Sequence, residues 1–408
     1  MFLQTLPLVF MLAGLVLYTV LAGADFGSGM WRLLAGGGER GERIRDHAHH
    51  SMGPVWEANH VWLIFVITVA WTAYPTFVGS VASTLAAPFF IAALGIILRG
   101  ASYALRSAAD TSRESRVVDG AFAVGSLVTP FALGAIAGAV AAERVPVGNA
   151  AGGLFTTWTG AVPILIGLLA VTFSAYLAAV YLAADAARHG EPELVEAYRV
   201  RALGAGVAAG ALAVVGLIVL HADAHSLYTE LLHGAALAVL IVSLLAGTAA
   251  LGLVATRRFE PARYVAALAV AAVVAGWAFA RYPVLLPGLS VAQAAAPHDT
   301  LVAVVIAVLG GGAILFPSLG LLFGLLLRGH LGELGSAAKA EGPGAGPGRP
   351  VRSTPMQARV AVALLIVGVG FLNAADAGWA HLIGVFALFG FMVIGFAAIV
   401  PRALAEDA

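Results

Sequence analysis

The chain has 408 residues, of which 61% are hydrophobic and only 11% charged. Soluble globular domains carry about 25% charged residues, so a water-facing shell cannot be built here, and a disordered chain, which needs low hydrophobicity, is excluded too. Lys plus Arg and Asp plus Glu both number 22, which leaves no basic surface for nucleic acid, and the absence of Cys removes disulfides, iron–sulfur clusters and a thiolate haem ligand. What remains is an all-α polytopic membrane protein.

A membrane-crossing helix takes about 20 mostly apolar residues. Eleven stretches qualify in chain order: 2–24, 55–73, 78–98, 117–141, 161–184, 202–220, 231–254, 264–280, 301–327, 360–375 and 379–400. The first is expected to be a true span, because it lacks a basic leader and is longer than the roughly 7–15-residue apolar core of a removable signal. With the N-terminus outside and eleven crossings, all but two of the 22 Lys and Arg fall on inside loops, the exceptions being Arg144 and Arg281. The positive-inside rule therefore predicts an N-out, C-in protein resting in the lipid membrane.

The segment 329–358 separates the first nine spans from a two-span tail. Its core, Glu341-Gly-Pro-Gly-Ala-Gly-Pro-Gly-Arg-Pro350, is too rich in Gly and Pro to hold a helix. The tail hairpin, 359–408, is expected to turn at residues 373–379. An internal echo links Val20-Leu-Ala-Gly-Ala-Asp25 to Tyr181-Leu-Ala-Ala-Asp185, both at the inner end of a span. Repeated four-helix units would produce it; so would chance in a chain dominated by Ala and Leu.

Charges inside a span cost at least about 2.5–3.5 kcal/mol at its centre, so those present need a reason. The densest polar group is His47-Ala-His-His-Ser-Met-Gly-Pro-Val-Trp-Glu-Ala-Asn-His-Val-Trp62. Pro54 suits a first helical turn. Glu57 then sits where the helix dipole favours a carboxylate, with His60 on the same face. Trp56 and His60 are one turn apart, as are Asn59 and Trp62. A partly desolvated carboxylate beside an imidazole is suited to passing protons in from the cytoplasm; the same residues also make an interfacial belt in which Trp anchors the headgroup level. Asp25 is either a second proton station or a solvated helix end. Arg99, Tyr103 and Arg106 share one face just beyond the third span, placed to pair Glu57 or Asp25 or to snorkel to the interface.

At the outer side, His221 and His225, with Asp223 between them and Glu230 and His233 nearby, form a weak metal-ligand candidate. His381 is expected to be interfacial, and no span centre offers a convincing haem ligand. Gly310-Gly-Gly312 reads as a packing signal. No P-loop is present.

Three stretches together resemble subunit II of cytochrome bd-type quinol oxidases. Gly53-Pro-Val-Trp-Glu-Ala-Asn-His-Val-Trp-Leu63 resembles that family's GPVWDGNEVWL signature, Tyr18-Thr-Val-Leu-Ala-Gly-Ala-Asp-Phe-Gly-Ser-Gly29 its YxxLDGFDLGxG segment, and Leu98-Arg-Gly-Ala-Ser-Tyr-Ala-Leu-Arg106 its LRGxxFExR stretch. The likeness runs over about 1–328. It implies two pseudo-symmetric four-helix units (1–142 and 143–281) and a ninth, peripheral helix (282–328). It also implies a haem-free chain paired with a subunit I that carries two b-type haems and either haem d or a third haem b. The complex would oxidise ubiquinol or menaquinol and reduce oxygen to water, with a proton path through this chain and, in some members, a structural quinone. The signature acid maps to Glu57. Departures are Ala22 in place of the first acid of DGFD, Ala58 in place of Gly, and His60 in place of an acid. The tail has no counterpart, and is expected to pack where relatives carry a small single-span accessory subunit. The alternative reading is a stand-alone transporter of protons or small solutes.

Overall fold

The computed structural model describes residues 2–52, 56–106, 112–327, 356–374 and 378–399. Apolar side chains with helix-favouring neighbours run unbroken for long stretches, so nearly all of this backbone is helical. Helix α1 (Phe2–Leu33) is followed by the polar α2 (Gly38–Met52), then α3 (Trp56–Ala73), α4 (Pro75–Thr84), α5 (Ala86–Arg106) and α6 (Ser112–Ala141). Next come α7 (Ala161–Arg188), α8 (Pro192–Asp223), the short α9 (His225–Leu231), α10 (Gly234–Ala255) and α11 (Phe259–Arg281). A two-stranded antiparallel hairpin, β1 (Val284–Leu286) with β2 (Leu289–Ser290), precedes α12 (Val291–Ala294) and α13 (His298–Leu327). Beyond lie α14 (Met356–Ala374) and α15 (Gly378–Ile399).

Among the described residues, eight helices are long and apolar enough to cross a membrane, and α3 with α4, bent by 119° at the break between them, makes a ninth when the pair is counted as one broken span. The expected third span, 78–98, is corrected here. Residues 78–84 belong to α4, and the crossing helix is α5, beginning at Ala86. Two prolines explain the breaks. Pro75 forces Tyr74 out of helical backbone (φ −137°, ψ 62°), and Pro88 sits in the first turn of α5, where no amide is needed. Hydropathy alone cannot see either break, because both flanks are apolar. Helices also extend past the apolar stretches: α1 continues to Leu33, α5 to Arg106, and α8 starts at Pro192.

The chain divides into two compact units, 1–319 and 320–408. In the first, α1 is central and packs on α3, α6 and α7, while α7 packs on α8, α5 on α6, and α10 on α11. The approach of α1 to α7 requires glycine: a Cβ on Gly27 would run into the Ser174 carbonyl oxygen. Trp31 Nε1 donates to the Ala175 carbonyl 2.8 Å away across the same seam. The largest apolar core joins Ala24, Leu177, Leu182, Tyr198, Val254 and Phe259. In the second unit α14 packs on α15, with Gly390 against Leu364 and Phe371 edge-on to Trp379 at 6.3 Å.

Candidate functional site: a buried polar row between α1, α5 and α6

Residues 18, 22, 25, 29 and 32 of α1 recur at three- and four-residue steps and therefore share one face. That face carries Tyr18, Asp25 and Arg32, with small residues Ala22 and Gly29 between them. Across from it α5 brings Arg99 and Tyr103, and α6 brings Asp119, Phe122 and Ser126. The small residues make the space. A Cβ on Gly29 would strike Ser126 Oγ, and one on Gly125 would press on Arg99 Cγ at 3.0 Å.

Arg99 Nη2 lies 2.7 Å from Asp25 Oδ1, and both side chains are 1% exposed. Arg99 Nη1 also donates to Ser126 Oγ, which in turn donates to the Phe122 carbonyl at 2.7 Å. The guanidinium is covered by two aromatic faces, Phe26 at 4.9 Å and Phe122 at 4.3 Å. Two charges taken out of water need this kind of mutual pairing, hydrogen bonding and cation–π cover to persist. The set is not saturated: no donor among the described residues hydrogen-bonds to Asp25 Oδ2.

The row continues toward the arginine-rich end. Arg32, its side chain 6% exposed, pairs with Asp119 at 2.8 Å, and its guanidinium lies 4.3 Å from the centre of the Phe122 ring, so one ring serves both arginines. Tyr103 meets Phe122 edge-on at 5.2 Å and stacks on His49 at 5.9 Å. A small cavity is lined by Arg32, His49, Ser102, Tyr103, Asp119 and Phe122. In the other direction, the His60 ring is 6.4 Å from both Tyr18 and Phe26, and the buried Asn59 donates its side-chain amide to the Leu21 carbonyl at 3.3 Å.

The structure thus gathers Asp25, Arg99, Asn59, His60 and Tyr103 around α1. Asp25 is not a solvated helix end, because α1 runs on to Leu33 and buries it. Arg99 does not snorkel; it pairs with Asp25. Glu57 stands in the first turn of α3, but its side chain, like those of Trp56, Arg106 and His381, lies outside the described residues. The outer histidines are not gathered as metal ligands. His221 packs edge-on to His225 at 5.0 Å and to Tyr228 at 4.8 Å, while Asp223 turns to Arg144 at 3.0 Å. His233 Nδ1 lies 2.6 Å from the Thr229 carbonyl of its own turn.

Sequence reasoning passed over Arg32, Asp119, Phe122 and Ser126. Their signal was two glycines on the same helices, Gly29 of α1 facing Ser126 and Phe122 and Gly125 of α6 facing Gly95 and Arg99, which in an apolar helix mark a place where a neighbour comes close.

A second polar group joins α2 to the end of α7. Ser51 Oγ donates to Asp185 Oδ2 at 2.5 Å, and His47 Nε2 lies 3.3 Å from the same oxygen. Burial pulls the His47 imidazole below its ordinary pKa, against an opposite pull from Asp185.

Fold and site together define a polytopic helical membrane protein with a charged pair sealed among its spans. Residues 3–326 match the family described as cytochrome bd terminal oxidase subunit II, and the chain belongs to that family. It is similar to cytochrome bd ubiquinol oxidase subunit 2 of Bacillus subtilis (strain 168), 33% identical over 116 residues, which is 28% of this chain and 33% of that protein. That alignment therefore spans about a third of the curated relative. The solved bd oxidase from Geobacillus thermodenitrificans shares the fold, with a TM-score of 0.61 at 23% identity, covering 80% of this chain and 99% of that one. The family match ends at 326, before α14 and α15.

Proposed function

We propose that this chain is the haem-free second subunit of a quinol:oxygen oxidoreductase in the prokaryotic cytoplasmic membrane. Its partner is a subunit I carrying two b-type haems and either haem d or a third haem b, which oxidises ubiquinol or menaquinol. This chain supports that partner and conducts protons inward from the cytoplasm by way of Glu57, His60 and Asp25. Asn59, Tyr103 and Arg99 shape the route, and Trp56 anchors its entry. No residue here performs redox chemistry, and 1–142 and 143–281 act as two four-helix scaffolds.

The observation that carries this reading is the Asp25–Arg99 pair. A carboxylate 1% exposed among the spans, whose Oδ2 accepts no hydrogen bond from the described residues, is the kind of intramembrane acid that marks a proton path. Charge placement supports the direction, since the row leads from the arginine-rich face through Arg32 and Asp119.

The test is to purify the tagged chain from native membranes, identify what accompanies it, and record a reduced-minus-oxidised visible spectrum. A co-purifying haem protein, and no haem when this chain is expressed alone, is the expected result. Haem retained by the isolated chain, or a functional homo-oligomer without a haem partner, overturns the proposal.

A further inference from the structure

At the end of α7, where the helix meets the polar α2, three side chains from two elements converge. Asp185 and His189 stand one turn apart on α7 and its cap, and His47 comes across from α2. One potential ligand atom from each lies within 4.8 Å of the other two. Among the described residues no other three His or carboxylate side chains are so gathered. We propose that His47, Asp185 and His189 form a binding site for a divalent transition-metal ion of the zinc class, independent of the buried row and of the oxidase reading.

Four features carry this. First, the donor set is right: two imidazoles and one carboxylate, with no thiolate, match a three-ligand zinc site completed by water. Second, His47 is nearly sealed, with its side chain 11% exposed, yet neither ring nitrogen makes a hydrogen bond. Nε2 is 3.3 Å from Asp185 Oδ2 but outside hydrogen-bond geometry. A buried imidazole without a donor or acceptor is costly, and a cation between it and the carboxylate removes that cost. Third, the carboxylate is already oriented: Ser51 Oγ donates to it at 2.5 Å, the outer support that metal-binding carboxylates require. Fourth, there is access. The group opens into a cavity of about 550 Å³ that Asp46 and His50 also line.

Zinc sits about 2.0–2.2 Å from nitrogen and oxygen ligands, so the three atoms must draw together by up to about 1 Å. His189 can supply the movement, because its side chain is 67% exposed at a helix end. Metal binding would then fasten α2 to α7 beside the existing surface pair of Arg43 with Glu191 at 2.5 Å.

The experiment is calorimetric titration of Zn²⁺ into the detergent-solubilised complex that carries this chain, stripped of metal by chelator and dialysed. Wild type is expected to show one site per chain that His47→Ala abolishes. His189→Ala is expected to weaken it by about tenfold or more. His225→Ala, at the opposite end of the protein, should leave it unchanged. His189 is exposed, so its variant folds normally and keeps the test sound if His47→Ala does not. Zn²⁺ binding unaltered by His189→Ala, or no such site in wild type, overturns the proposal.

Discussion

Arg99 of α5 and Asp25 of α1 meet at 2.7 Å with 1% of either side chain exposed, in a chain where 11% of residues are charged at all. Removing one partner strands the other in an apolar interior. Arg99→Leu is expected to destabilise the protein by about 3–5 kcal/mol, while Asp25→Leu with Arg99→Leu recovers most of that loss, because an apolar replacement for a buried pair is often neutral. Thermal unfolding of the solubilised protein measures both. A double variant no more stable than the single would show that the two residues are not an energetic unit.

Asp25→Asn keeps the shape and removes the proton-binding group. If Asp25 relays protons, quinol-driven oxygen consumption falls by roughly tenfold or more with haem content unchanged, and Asp25→Glu retains more activity than the amide. Full turnover in Asp25→Asn, measured with an oxygen electrode, removes Asp25 from the route.

Glu57 is open to the same comparison at the start of α3. Glu57→Asp is expected to preserve proton uptake and Glu57→Gln to slow it, read as alkalinisation of the medium on the cytoplasmic side of inverted vesicles. Equal uptake in both variants leaves the residue as a helix-end carboxylate only.

Packing gives a prediction free of any functional reading. A side chain at Gly29 must displace Ser126, so Gly29→Val is expected to cost about 1–3 kcal/mol by overpacking. Gly79→Ala in α4 meets nothing within 4 Å and should be neutral or slightly stabilising, since Ala is the better helix former. Melting temperatures of the two variants are compared directly.

The tail lies past the end of the family match. If 359–408 takes the place of a small accessory subunit, deleting it lowers the yield of assembled, haem-loaded complex. Unchanged yield and activity make it an independent membrane anchor.

The spans were legible because twenty apolar residues in a row leave the backbone no alternative in lipid, and the arginines tell the sides apart. The α4 break was not, because Pro75 sits within apolar sequence and a hydropathy window averages over it. Asp25 and Arg99 could be picked out singly as charges that need a reason, but their pairing depends on which faces of α1 and α5 meet, and that is decided by Gly29, Gly95 and Gly125 letting α6 close in. The union of His47 with Asp185 spans 138 positions and has no local signature at all.

The pairing of Asp25 with Arg99 has an electrical consequence. As a pair the two carry no net charge, so the transmembrane voltage acts on a short dipole and barely displaces it, whereas an unpaired unit charge crossing the whole potential changes energy by about 2.3 kcal/mol per 100 mV. Take away either charge by substitution, and the other is left as a monopole on which the field acts in full. A variant that breaks the pair is thereby expected to place a voltage-sensitive charge inside the membrane.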